Sequence, residues 1–381
     1  MNRGVQNLGH TIKTWWNAKP ATFDKVFDRK NNAIGFMRTA FALLVIVGHS
    51  FHLGGFGPDT LTRFSGGTLA FGTVAVLGFF ILSGYLITAS FVYASSVWRY
   101  LWNRFLRIMP AFWVALVVVV FGFAPFSYFL DHGTLQGFLI TNAGGPLDYI
   151  QKNIGLYIGQ YSISGLISDI PWPNAFNGSL WTLVYEATGY LLIAAFGVFG
   201  VFKKHSKIVL GATLTMFGLY VMDMAIPGSA GNILPVFKDA QLLPLMLFFF
   251  AGSTWYLYED KIPMSNRYFV LAVILYVLSV RFGFYALVGP ATFVYLVFYL
   301  AAKFPVKSFD RKADFSYGIY IYAFPVQQML AQLGLQSTGV WIYSLIAAAL
   351  TLPFAVASFY LIERPALKLK SARLRIRKWR K

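Results

Sequence analysis

Apolar residues in this chain come in long runs, and polar residues are gathered into the breaks between them. A hydrocarbon core about 30 Å thick takes about 20 helical residues to cross. Ten runs approach that length, at 33–53, 68–94, 108–130, 179–200, 208–226, 240–257, 268–281, 286–302, 315–334 and 338–362. The pattern predicts an all-α fold, a polytopic transmembrane bundle of about ten spans. The seventh and eighth runs are the least well separated, with only Arg281 and Gly283 between them. No internal repeat, low-complexity stretch or soluble domain interrupts the series. The expected organisation is one membrane domain over 33–365, preceded by a cytoplasmic or interfacial segment at 1–32 and followed by a basic cytoplasmic tail at 366–381. The first 32 residues include Lys19, Asp24, Lys25, Asp28, Arg29 and Lys30. They are too polar for the apolar core of a signal peptide, so the first span is expected to be retained.

Composition agrees with the pattern. Hydrophobic residues make up 57% of the chain and charged residues 12%, against about 25% charged in soluble domains, and mean hydropathy is +0.60. The net charge of +18 changes the picture through its distribution. With the N-terminus inside, the cytoplasmic segments hold 27 of the 32 Lys and Arg, the outer segments hold four, and Arg38 lies within a span. That bias predicts both termini cytoplasmic. The tail "KLKSARLRIRKWRK" reads as a surface for anionic lipid rather than for nucleic acid. The absence of cysteine excludes disulfides and thiolate chemistry. The long outer segment 131–178 carries Tyr149, Tyr157, Tyr161 and Trp172, which suit a carbohydrate surface and an interfacial aromatic belt equally well.

An ionisable group inside a span is a functional candidate by default. Within "FMRTAFALLVIVGHS" Arg38 and His49 stand eleven residues apart. Eleven helical steps close to within about 20° of three full turns, so the two share a face, about 16 Å apart along the axis. Of the acidic residues only Glu186 is well inside a run; Asp223 is close enough to a helix end to reach the interface by snorkelling. Counting inward from the outer end of its run, Glu186 is expected near the depth of His49. There the two would form a base and its orienting carboxylate, the alternative being separate helix contacts. His49 and His52 stand at i, i+3 but make an incomplete metal site without further ligands, so no metal is expected. At the start of the third run, Arg104 and Arg107 also stand at i, i+3. Two guanidiniums there suit phosphate groups or lipid headgroups.

These residues together resemble acyltransferase family 3, integral-membrane enzymes that move acyl groups from acyl-coenzyme A to extracytoplasmic glycans. The resemblance covers residues 31 to 365. It rests on the Arg-x10-His pair Arg38 and His49, on "GFFILSGYLI" with Ser83 and Gly84, and on "RFLRIMP" with Arg104 and Arg107. "SLWTLVYEATGY" with Trp181 and Glu186, "DFSYGIYIYAFPV" with Ser316, Tyr317 and Tyr320, and "ERP" at Glu363 to Pro365 complete it. One departure stands out: many relatives place a histidine shortly before the proline of the ninth helix, where this chain has Ala323 and Phe324 before Pro325.

The resemblance implies an O-acyltransferase, most simply an O-acetyltransferase, in a bacterial inner membrane. Its acceptor would be a hydroxyl of an extracytoplasmic or lipid-linked polysaccharide. Acyl-coenzyme A, with acetyl-coenzyme A foremost, would be a donor substrate rather than a resident cofactor. His49 and Glu186 would be catalytic, and Arg38, Arg104 and Arg107 would hold the donor. Ser83, Trp181, Ser316, Tyr317 and Tyr320 would wall the pocket, although helix packing accounts for them as well. The competing class is a transporter or flippase of a small solute or lipid-linked sugar, for which internal repeats and several deep carboxylates would be expected.

Overall fold

The computed structural model describes residues 20–139, 144–307, 309 and 313–371. Within them every one of the ten apolar runs is helical, as it must be where lipid offers no partner for backbone N–H and C=O groups. We label these helices α1 (Ile34–Leu53), α2 (Phe71–Val92), α3 (Val97–His132), α4 (Gly178–Val198), α5 (Lys207–Ala225), α6 (Leu242–Leu257), α7 (Asn266–Phe282), α8 (Tyr285–Lys303), α9 (Ser316–Gln332) and α10 (Val340–Lys368). Seven of them are long and apolar enough to cross a membrane; α6, α7 and α9 have 16, 17 and 17 residues and are shorter. The only pairing of strands among the described residues is two residues long, Ala21–Thr22 against Pro263–Met264, antiparallel.

Helix α3 begins eleven residues before the apolar run that marked it. Ser96 caps it by accepting from the Arg99 N–H at 3.1 Å, so the arginine-bearing turns are helical although their hydropathy is low. Helices α3 and α10 each contain a π-turn, at Val119–Phe123 and Phe359–Glu363. Helices α7 and α8 do form separate elements: Gly283, with φ 80°, takes the left-handed conformation that ends α7. Ahead of α1, Phe23 is fully buried and stacks on Phe27 with ring centroids 4.7 Å apart, so the last residues of the N-terminal segment belong to the packed body. Residues 1–19 and 372–381, with most of the basic tail, lie outside the described residues.

Helix α9 is the hub. Every residue from Ser316 to Ala331 is buried, the signature of a helix enclosed on all sides. Its Pro325 supplies no N–H to the Ile321 carbonyl, and the buried Asn177 side chain does so instead, at 2.8 Å. Gln328 reaches back to the Trp172 and Ala175 carbonyls at 2.8 and 2.7 Å, which ties the end of the long 131–178 segment to the same helix. That segment is itself folded: Asn153 bonds Gly159 and Gln160. Tyr149 is completely buried there rather than displayed, whereas Tyr157, Tyr161 and Trp172 are exposed.

Helices α2 and α6 touch backbone to backbone. A Cβ on Gly84 would lie 1.8 Å from the Phe249 carbonyl oxygen, and one on Gly252 would lie 2.0 Å from that of Ile81. Small residues permit this approach in membrane helix pairs, and Ser253 Oγ adds a hydrogen bond to the Gly84 carbonyl at 3.2 Å. Because backbone cannot swing aside as a side chain can, Gly84→Ala is expected to cost at least the 1–3 kcal/mol typical of overpacking, about 3 kcal/mol or more. A lower midpoint of thermal aggregation in detergent reads this out; an unchanged midpoint would mean that the helix pair can slide apart freely.

Candidate functional site

Three cavities lie in series through the helices. The first, about 350 Å³, is lined by Arg29, Lys30, Asn32 and Arg38 together with Tyr85 and Tyr93. Arg38 also lines the second, a narrow space of about 60 Å³ among Ser83, Arg107, Thr182, Glu186, Tyr190, Ser316, Tyr317 and Tyr320. Tyr320 and Val76 are walls of this second space and of the third, about 370 Å³, which holds His49, His52, Trp181, Tyr220, Asp223 and Gln241. The two ends of the Arg38–His49 face of α1 therefore open into different members of one series.

The middle cavity is organised by a carboxylate that is not among the candidates above. Asp314, just ahead of α9, accepts from Arg38 Nη1 and from Arg107 Nη2, the latter at 2.6 Å. It also accepts from the Ser316 N–H at 3.1 Å and from Ser316 Oγ at 2.6 Å. Burial alone would raise the carboxyl's pKa, but the Arg38 and Arg107 guanidiniums, with Ser316, hold it well below the usual carboxylate range. Arg107 lies 3.7 Å from a second carboxylate, Glu363, which is 2% exposed and also accepts from Ser358 Oγ at 3.1 Å. Arg107 is thus embedded in an ion-pair network rather than presented at a surface. Arg104 differs: it lies over the Tyr190 ring at 5.8 Å, and its buried Nε has no hydrogen-bond partner among the described residues. Near it, burial pushes the Lys370 ammonium down to about 8, with the positive charges of Arg104 and Arg107 adding to the effect.

Glu186 lies in the middle cavity, and the expected pair with His49 is not formed. Its Oε1 accepts from Tyr190 OH at 2.5 Å and from Ser83 Oγ at 3.3 Å. Glu186 and His49 line adjoining cavities, the middle one and the third, and Glu186 is taken up by a tyrosine one turn along its own helix and by a serine of α2. His49 packs edge-on against Phe324 with ring centroids 5.3 Å apart, and its buried Nδ1 has no hydrogen-bond partner among the described residues. The aromatic that precedes Pro325 is therefore a direct neighbour of the imidazole.

The remaining candidates are partly committed. Tyr320 OH is 2.5 Å from Thr182 Oγ1 and donates to the Ser179 carbonyl at 3.0 Å, which holds it between the two cavities. Tyr317 OH donates to the Ile108 carbonyl at 3.0 Å. Trp181 faces the His49 cavity with its ring edge-on to Tyr185. Chemically, the series offers cations at one end, an ion-paired constriction in the middle and, at the other end, an imidazole whose Nδ1 has no hydrogen-bond partner among the described residues. Such a space can hold an anionic, elongated molecule by its charged end and bring its far end to a base.

Comparison with known proteins places these features in a family. The model of the acyltransferase domain matches residues 31–360. An O-acetyl transferase of Shigella phage Sf6 is 26% identical over 361 residues, 91% of this chain and 98% of that protein. Nodulation protein 10 of Rhizobium leguminosarum bv. viciae is 24% identical over 325 residues, 80% of this chain and 84% of that protein. No solved structure gives a significant match.

Proposed function

From the premise that this chain belongs to acyltransferase family 3 and is an acyltransferase, we propose that it transfers an acetyl group from acetyl-coenzyme A to a hydroxyl of a polysaccharide or its lipid-linked precursor. The series of cavities on the Arg38–His49 face is the observation that carries this reading. The name of the phage relative supports acetyl among acyl groups. In this reading the phosphates of the donor stay on the cytoplasmic side near Arg104, Arg38 and Lys370, and its pantetheine arm follows the constriction past Glu186 and Tyr320. The thioester meets the acceptor at His49. His49 takes the proton of the sugar hydroxyl as its oxygen attacks the thioester carbonyl. The C–S bond then breaks, and the proton passes to the departing coenzyme A thiolate. NMR of the polysaccharide from bacterial cells with and without the gene provides the test: the reading expects an acetyl ester to disappear with the gene, and an unchanged spectrum refutes it.

The sidedness is a separate expectation, motivated by the bias of Lys and Arg. With the protein in the bacterial inner membrane and both termini cytoplasmic, a labelling tag in 131–178 reacts with an impermeant reagent from outside intact cells, and tags at 203–207 or after 370 do not. Reversed accessibility would put the arginines on the wrong side for a cytosolic donor.

A further inference from the structure

We propose that the wall of the His49 cavity formed by Tyr220 and Asp223 of α5, with Gln241 at the start of α6, is the subsite for a neutral acceptor sugar, and that Asp223 accepts a hydrogen bond from one of its hydroxyls. This rests on the acyl-transfer reading above. A volume of about 370 Å³ is within the range of sites that enclose a small organic molecule. Neither Lys nor Arg is among the described residues lining it; the charged or titratable side chains there, tyrosines aside, are His49, His52, Asp59 and Asp223. A cavity without a cation does not suit a uronic acid or a phosphorylated sugar, whose charge would face carboxylates. It does suit a polyol, which offers hydroxyl donors to a carboxylate and apolar ring faces to Trp181 and Tyr220.

The two aspartates differ in what they have left to give. Asp59 spends both carboxylate oxygens on its own chain, accepting from the Thr62 N–H and hydroxyl through Oδ1 and from the Phe71 N–H through Oδ2. Asp223 accepts from the Ala230 N–H at 3.0 Å through Oδ1 alone. That bond fixes the carboxylate, and Oδ2 accepts from no described residue while the side chain lines the cavity. Together with the unpartnered Nδ1 of His49, the cavity holds a base and an acceptor that both lack a partner among the described residues. A sugar with one hydroxyl at His49 and a neighbouring hydroxyl at Asp223 satisfies both, and the second contact selects which hydroxyl is acylated.

The test uses Asp223→Asn, which can still accept from Ala230 N–H through its amide oxygen but turns the free oxygen into an NH₂ group that cannot accept. Cells deleted for the gene are complemented at limiting expression with the parent, Asp223→Asn or Gln241→Ala, and acetyl ester on the polysaccharide is measured by NMR. For each purified protein, yield and acetyl-coenzyme A affinity by calorimetry are measured alongside. Loss of a charge-assisted hydrogen bond predicts an ester content lowered about ten-fold or more for Asp223→Asn, with a smaller fall for Gln241→Ala and with yield and donor affinity unchanged. Parental ester content in Asp223→Asn overturns the proposal, and so does a fall that tracks yield or donor affinity, because Asp223 then acts only through the fold. A parent that restores no ester refutes the acyl-transfer reading itself, and the subsite with it.

Discussion

His49→Ala is expected to lower acyl transfer by about 10²- to 10⁴-fold, the range for removal of a general base, while leaving the protein folded. The separation of the two effects follows from its surroundings. Among the described residues His49 makes no hydrogen bond through Nδ1 and contacts Phe324 ring to ring, so truncation there removes packing but no polar link between helices. Gel filtration in detergent and turnover of acetyl-coenzyme A with acceptor membranes measure the two separately. Near-normal turnover from a well-folded variant would reduce His49 to a packing residue. Glu186→Gln should not mimic it by disturbing the imidazole, because the carboxylate is bonded to Tyr190 and Ser83 in the adjoining cavity. Whatever activity that variant loses reports on the constriction through which the donor arm passes.

The second large effect is one of folding, and it distinguishes two arginines that the sequence presents as equivalents. Arg107→Ala leaves Glu363 and Asp314 without a guanidinium they share. Glu363 is almost completely buried, and removing one partner of a buried ion pair typically costs about 3–5 kcal/mol. The variant should therefore be recovered in low yield and aggregate early on heating. Adding Glu363→Gln, which removes the stranded charge, should restore a substantial part of the loss. Arg104→Ala strands no carboxylate among the described residues and should fold normally. If Arg104 holds a phosphate of the donor, its loss lowers coenzyme A affinity by about ten- to a hundred-fold, and raising the donor concentration recovers activity. Thermal midpoints and calorimetry of coenzyme A on the three variants decide. Equal stability of Arg104→Ala and Arg107→Ala would mean that the network around Asp314 does not hold the helices together.

The helices were legible because lipid leaves the backbone no alternative to internal hydrogen bonding, and each apolar run did become one. The start of α3 was not, because Arg99, Asn103, Arg104 and Arg107 depress hydropathy across turns that Ser96 nevertheless caps. Arg38, His49 and Glu186 were visible as costly groups inside apolar runs, and all three line the series of cavities. Asp314 was not among the candidates because it stands just beyond the edge of a run, where a carboxylate ordinarily meets water, and Glu363 entered only as part of the "ERP" ending. Only the tertiary arrangement joins Asp314 to Arg38, 276 positions away. The pairing of His49 with Glu186 failed because Glu186 has other partners, Tyr190 one turn along its own helix and Ser83 on α2.

The bond between Asn177 and the Ile321 carbonyl makes two distant positions a single unit of variation. Alanine in place of Pro325 would ordinarily be welcome within a helix. Here it would bring an amide hydrogen aimed at a carbonyl that Asn177 already occupies, and the newcomer would compete with the side chain anchoring the end of the 131–178 segment. An apolar residue in place of Asn177 would instead leave that carbonyl bare in the interior, at the cost of an unmade hydrogen bond. Neither position can drift alone without a loss, so lineages descended from this chain should keep proline and asparagine together or exchange them together.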